Sequence, residues 1–215
     1  MPLRILLVSA TAPESDGLAS LRGRITHELQ VLVTGVGMVA TAAHVSRVLA
    51  ASRFDVALNV GLCGTFDPSL PLGSVVHVVS DQVAELGAED GERFLTLDDL
   101  DLSGSDGSPS PGGPLLNPAP PASATLIALP QVSGITVNTV HGREDSIARV
   151  VGRLRPQVES MEGAAFMYAC LVAGVPFAQL RAVSNRVERR NRAAWRVADA
   201  LASLTRTAGS IVETL

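Results

Sequence analysis

Lysine is absent from all 215 residues, so every one of the 17 basic side chains is Arg. A Schiff-base enzyme, a pyridoxal enzyme and a phosphate loop built around its Lys are thereby excluded. Cysteine is nearly absent too. Cys63 and Cys170 stand far apart and could form at most one bridge; they are read as buried free thiols, with no redox motif. His27, His44, His77 and His141 are scattered without the close spacing of a zinc site, so neither a metal nor a cofactor is expected. Long apolar runs are missing as well. The opening MPLRILLVSA is too short to span a bilayer or serve as a signal peptide, and a cytoplasmic protein is expected. Strong charge of one sign is also lacking: 21 acidic and 17 basic residues leave a net −4. Nothing there calls for nucleic acid or an anionic membrane as partner, which leaves small molecules and other protein chains.

What is present is 47% hydrophobic and 18% charged residues, enough for one domain over 1–215 with a substantial core. Apolar, β-branched runs at Leu3–Val8, Gln30–Val36, Val56–Val60, Val75–Val79, Ile135–Val140 and Pro176–Val183 have the length of buried strands. They alternate with helical stretches at Met38–Ala51 and Glu162–Val172. A last helix is expected from about Arg192 to the end, with Val197, Leu201, Leu204, Ala208, Ile211 and Leu215 on one face. The alternation predicts an α/β fold with a largely parallel central sheet. Between about 98 and 124 the pattern gives way to a Pro/Gly/Ser-rich segment, read as a surface loop that is flexible around Ser103–Pro114. It is either a tolerated insertion or, in part, a cover for a substrate.

Several short motifs admit two readings each. TGVGMVATAA, Thr34 to Ala43, looks like a dinucleotide-binding turn, yet Asp55 precedes the next apolar run instead of closing it, and the motif follows the second strand. Close strand–helix packing at Gly35 and Gly37 is the simpler reading, and an NAD-binding or nucleotide-binding protein is the rival of another class. NVGLCGTF, Asn59 to Phe66, reads as a Gly-rich turn at the carboxyl edge of the sheet, where open α/β folds bind ligands, or as an ordinary turn. In VESMEGAAFMYAC, Glu162 either caps a helix N-terminus or accepts hydrogen bonds from a sugar diol, with Met161 packed on the sugar's apolar side. In SATAPES, Glu14 is read in an exposed loop, where a lone Glu is usually solvated. RAVSN places Asn185 at the end of a buried strand, where its amide is tied to the loop backbone or reserved for a ligand. In a parallel sheet, Glu14, Gly61, Glu162 and Asn185 would share one edge.

Taken together, SATAPE, TGVGMVATAA, NVGLCGTF with PLGSVVHVVSD, and VESMEGAAF with RAVSN resemble the purine nucleoside phosphorylase/hydrolase superfamily, in its nucleosidase branch. The similarity runs through nearly the whole chain outside the Pro-rich segment. SMEGAAF, RAVSN in place of RAVSD, and VERRNRAAW look most like the futalosine hydrolase family of the alternative menaquinone pathway. The resemblance implies a nucleoside phosphorylase-like, three-layer α/β/α sandwich with a mixed, largely parallel central sheet, assembled as a homodimer or larger homo-oligomer. It implies cleavage of the N-glycosidic bond of a purine nucleoside, here releasing hypoxanthine. Glu14 then activates water, Met161 and Glu162 hold the ribose, and Asn185 handles the purine, with Cys63, Gly64 and Ser184 also at the substrate.

The chemistry agrees with those roles. Breaking a ribosyl C–N bond builds positive charge on the sugar, which a carboxylate relieves while it activates water. An ionised Asp only accepts, whereas Asn offers an NH2 donor that suits O6 of a 6-oxopurine. Phosphorylases of the superfamily usually add Arg residues near the N-terminus and a Ser in the glycine turn. This chain has no Arg between Arg4 and Arg22 and carries Leu62 at the hydroxyl position, which favours hydrolysis. A methylthioadenosine/S-adenosylhomocysteine nucleosidase or a nucleoside phosphorylase is the nearer rival. Futalosine bears a carboxylate on its side arm, so one of Arg186, Arg189, Arg190 or Arg192 is expected to meet it, with Trp195 nearby. His141 is a candidate for stacking on the base, or a satisfied loop histidine.

Overall fold

A computed structural model describes residues 1–103, 109–110 and 112–215. The expected flexibility around Ser103–Pro114 falls in part on residues outside that description. The elements run β1 (Arg4–Ser9), α1 (Ala12–Ala19), β2 (Glu28–Val33), α2 (Met38–Ala51), β3 (Val56–Thr65), β4 (Val75–Asp81), β5 (Ala88–Asp90), β6 (Arg93–Leu95) and β7 (Leu115–Leu116). They continue with α3 (Ala124–Ile127), β8 (Gln131–Thr136), α4 (Glu144–Leu154), β9 (Val158–Ser160), α5 (Gly163–Ala173), β10 (Phe177–Arg186) and α6 (Val197–Thr214). Among the described residues no helix is long and apolar enough to cross a membrane.

The main sheet is mixed, as expected, and mostly parallel. β1 pairs in parallel with β2 and β3, β3 with β10, β4 with β8, and β8 with β9. Antiparallel pairs join β10 to β4, β3 to β9 and β4 to β7. β3 is the hinge of this arrangement. Its first half lies beside β1, its last residues Gly64 and Thr65 pair with β9, and its other edge follows β10 throughout. The strands β3, β10, β4, β8 and β9 therefore close into a ring, with β1 and β2 extending from it.

Two apolar layers cover the sheet, giving the α/β/α sandwich. Leu18 of α1, Leu126 of α3 and Leu204, Ala208, Ile211 and Val212 of α6 pack on one face. Val45 of α2 and Ala164, Phe166, Met167 and Cys170 of α5 pack on the other. α5 is apolar around nearly its whole circumference because it lies between sheet and α2. Both cysteines are free and buried, and burial pushes the Cys63 thiol up to about 12.

The structure corrects several expectations; β2 spans Glu28–Val33 and β10 Phe177–Arg186. β3 does not stop at Val60 but runs through Gly61 and Gly64 to Thr65, because glycines there admit neighbouring side chains without breaking the ladder. β8 begins at Gln131, where polar Gln131 and Ser133 obscure its start, and Val140 lies half-exposed in the following loop. SATAPES is helical from Ala12 onward. The last helix starts at Val197, since Arg192–Ala194 form a short 3-10 turn and Trp195 is extended.

Candidate active site

Glu14 is built into the first turn of α1 and is not solvated. Thr11 N–H and Oγ1 donate to its Oε2 at 2.8 and 2.9 Å, closing the turn after β1. Its other oxygen, Oε1, accepts from Leu62 N–H on β3 at 3.1 Å. The carboxylate is 9% exposed and bridges α1 to the middle of the sheet.

Opposite it stands a residue that the sequence reading did not single out. Arg181 pairs with Gly61 in the β3–β10 ladder and is 1% exposed. Its Nε donates to Gln179 Oε1 at 3.0 Å and its Nη2 to Asn59 Oδ1 at 2.5 Å, while Nη1 lies 3.9 Å from Glu162 Oε2. The signal was available: an Arg within the apolar run FAQLRAV cannot face a hydrocarbon core uncompensated. Gly61 makes room for it, since a Cβ there would run into the Arg181 guanidinium and come within 3.0 Å of Glu14 Oε1. Gly61→Ala is therefore expected to displace both groups, costing about 1–3 kcal/mol of stability and most of the activity. Thermal unfolding and turnover of the purified variant check this; an active, fully stable variant would contradict the packing.

Glu162 stands at the N-cap of α5, but its side chain makes no cap bond there. It precedes α5, is buried, and accepts the Gly37 N–H through Oε1 at 3.0 Å, so it closes the N-terminus of α2. That also settles the Gly-x-Gly motif. Gly35 and Gly37 adopt φ of +86° and +101°, conformations that favour glycine. The Gly37 amide that would meet a pyrophosphate is already held by Glu162. Met161 beside it is half-buried.

At the far end of β3, Asn185 lies opposite Gly64 across a bulge in β10. Ser184 Oγ lies 2.8 Å from Asn185 Oδ1 and 3.2 Å from the Cys63 carbonyl, and Asn185 Nδ2 donates to the Arg186 carbonyl at 2.9 Å. Only an NH2 can face that carbonyl, so the amide orientation is determined: oxygen to Ser184, nitrogen outward. One N–H is tied to the backbone, and among the described residues the second has no partner. The Cys63 thiol instead joins an apolar cluster with Val76, Val78, Val158 and Val183.

Glu159, also opposite Gly64, is 4% exposed and takes the His141 imidazole at 2.7 Å and the His141 N–H at 3.1 Å. Phe66 meets the His141 ring edge-on at 6.3 Å. Of the basic stretch, Arg186 is committed to the Asp67 and Pro68 carbonyls, while Arg190 and Arg192 lie over Trp195. Arg189 lines a cavity of about 540 Å³ together with Val187 and α4.

Gly61 and Gly64 are three residues apart on one strand, or about 10 Å. The groups gathered at Gly61 and the Asn185 amide at Gly64 thus belong to neighbouring stretches of the β3–β10 pair. A carboxylate with a free lone pair, a guanidinium and a second carboxylate at one end, and an amide donor at the other, suit cleavage of a ribosyl–base bond.

Fold and site together are those of an enzyme that splits nucleosides, and the chain belongs to the phosphorylase superfamily, whose family model matches residues 12–215. A futalosine hydrolase of Streptomyces coelicolor is 32% identical to it over 236 aligned positions, covering 99% of this chain and 97% of that protein. A 5'-methylthioadenosine/S-adenosylhomocysteine nucleosidase of Colwellia psychrerythraea is 26% identical over 195 positions, covering 85% of this chain and 77% of that protein. Among solved structures, the corresponding nucleosidase of Neisseria meningitidis in complex with methylthio-immucillin-A has a TM-score of 0.80 at 15% identity, covering 99% of each chain. That last likeness concerns the fold.

Proposed function

We propose that this chain is a futalosine hydrolase, an N-glycosyl hydrolase that releases hypoxanthine and dehypoxanthinylfutalosine within menaquinone biosynthesis. The observation that carries this reading is its near full-length similarity to the Streptomyces enzyme. The site supports it. Glu14 holds water through the lone pair its backbone donors leave free, and it relieves charge on the ribosyl cation. Arg181, held by Gln179 and Asn59 with Nη1 3.9 Å from Glu162, offers N–H donors to the incoming water. Glu162 and Met161 hold the ribose, with Oε2 of Glu162 open to the diol. The free N–H of Asn185 donates to O6 or N7 and takes up the charge that flows into the departing base.

Ser184 fixes the amide, and the backbone of Cys63 and Gly64 lines the purine. Leu62 brings no hydroxyl for an anion, so water and not phosphate is the acceptor. Arg189, Arg190 and Arg192 are the cations left for the substrate carboxylate. The chain acts as a single domain, in the cytoplasm, as a homodimer or larger homo-oligomer. Base release from futalosine, methylthioadenosine and inosine, each with and without phosphate, tests the reading. Turnover of methylthioadenosine without turnover of futalosine would replace it with the adenine-nucleosidase reading.

A further inference from the structure

Next to Arg181 and Glu162 lies a polar cluster that the proposed chemistry does not use. Asp81, at the end of β4, is 1% exposed, and Gln179, on β10, is fully buried. Asp81 Oδ2 accepts from Gln179 Nε2 at 3.0 Å, and Gln179 Oε1 accepts from Arg181 Nε at 3.0 Å. Asp81 Oδ1 accepts from Thr136 Oγ1 at 3.0 Å, and Thr136 Oγ1 accepts in turn from Ala164 N–H at 2.7 Å, in the first turn of α5. Gly163, between Glu162 and that amide, has no room for a side chain because a Cβ would enter Asp81 Oδ2 and Gln179 Oε1.

An ionised carboxylate only accepts, so it forces the Gln179 NH2 towards Asp81 and the amide oxygen towards Arg181. Through Thr136 the same carboxylate holds the start of the helix that follows Glu162. One buried group thus anchors both a guanidinium and a carboxylate of the site. A carboxylate in such a place is costly where apolar packing would serve.

We propose that Asp81 and Gln179 are positioning residues for this reaction, with ionised Asp81 setting the place of Arg181 through the Gln179 amide and that of Glu162 through Thr136. This rests on the hydrolase reading for its kinetic consequence, though not for its geometry. The charged group acting on Asp81 is Arg181 from β10; Thr136 from β8 and Leu115 from β7 bring no charge. Burial pushes the Asp81 carboxyl up to about 6, against the opposing pull of its hydrogen bonds and Arg181.

The test uses Gln179→Met, Gln179→Glu and Asp81→Asn in the full-length protein. Gln179→Met, of similar volume but without the amide, is expected to fold and to lose about 10- to 100-fold in kcat on futalosine with a much smaller change in KM. Wild-type kcat should fall as the pH drops through about 6. Gln179→Glu keeps an acceptor for Arg181 but sets two carboxylates together, which must share a proton. Its activity relative to wild type should therefore rise towards acid pH, which a merely structural role would not produce. A folded Gln179→Met with wild-type kcat, or a Gln179→Glu with the wild-type pH profile, would overturn the proposal.

If wild type does not turn over futalosine, the hydrolase reading fails while the pair remains testable by thermal unfolding. The raised carboxyl means that the native state binds the proton more tightly than the unfolded chain. Stability should then fall as pH rises from about 4 to 6. Asp81→Asn should flatten that slope, and an unchanged slope would remove the buried charge on which the pair depends.

Discussion

Replacing Glu14 by Gln is expected to lower futalosine turnover by about 10³-fold or more while the nucleoside still binds within a few-fold of wild type. The reason lies in what surrounds the carboxylate. Thr11 N–H, Thr11 Oγ1 and Leu62 N–H all donate to it, which fixes the carboxylate in place with Oε1 beside Gly61. A Gln is isosteric but must turn its NH2 towards one of those donors. That mismatch should cost about 1–3 kcal/mol of stability, measurable by denaturant unfolding. The catalytic loss is larger and separate: an amide neither takes a proton from water nor offsets positive charge on the sugar. Single-turnover hypoxanthine release together with equilibrium binding of futalosine distinguishes the two effects. Full activity in a folded variant would remove Glu14 from the mechanism.

Asn185→Asp is expected to move the preference from 6-oxopurine towards 6-aminopurine nucleosides by about 100-fold or more in the ratio of kcat/KM. Asn185 Nδ2 donates to the Arg186 carbonyl, and the substituting carboxylate would face that oxygen as a second acceptor. It would also face O6 of hypoxanthine, whereas the exocyclic amine of adenine brings donors. A cost of about 1–3 kcal/mol in stability should accompany the switch, because the bond to the Arg186 carbonyl is lost. Competition between inosine-type and adenosine-type substrates measures the ratio. An unchanged preference would mean that the amide serves the loop alone.

How far the sequence could be read depends on what each segment buries. Met38–Ala51 is legible to the residue because a breaker-free helix between glycine and an extended serine has sharp ends. β3 and β10 were cut short because side-chain size, not periodicity, governs them where they cross: Gly61 and Gly64 look like a turn until Arg181 and Asn185 are set against them. Glu14 and Glu162 were singled out, but their surroundings were not. A capping box before α1 hides in SATAPES, and no local pattern announces that Glu162 closes α2, 125 residues away in sequence. Arg181 was legible as an anomaly, a charge inside a buried strand. Its partner Gln179 is two residues away on the same strand, but Asn59 and Glu162 come from other segments, and only the folded chain brings them to it.

The reading that matters most is hydrolysis of futalosine, and one isotope experiment meets it directly. Purified protein is incubated with futalosine in phosphate-free H2¹⁸O, and the products are separated and weighed. The expected result is unlabelled hypoxanthine together with dehypoxanthinylfutalosine carrying one ¹⁸O at the anomeric position. No hypoxanthine, or release that requires phosphate and leaves the sugar unlabelled, would contradict it.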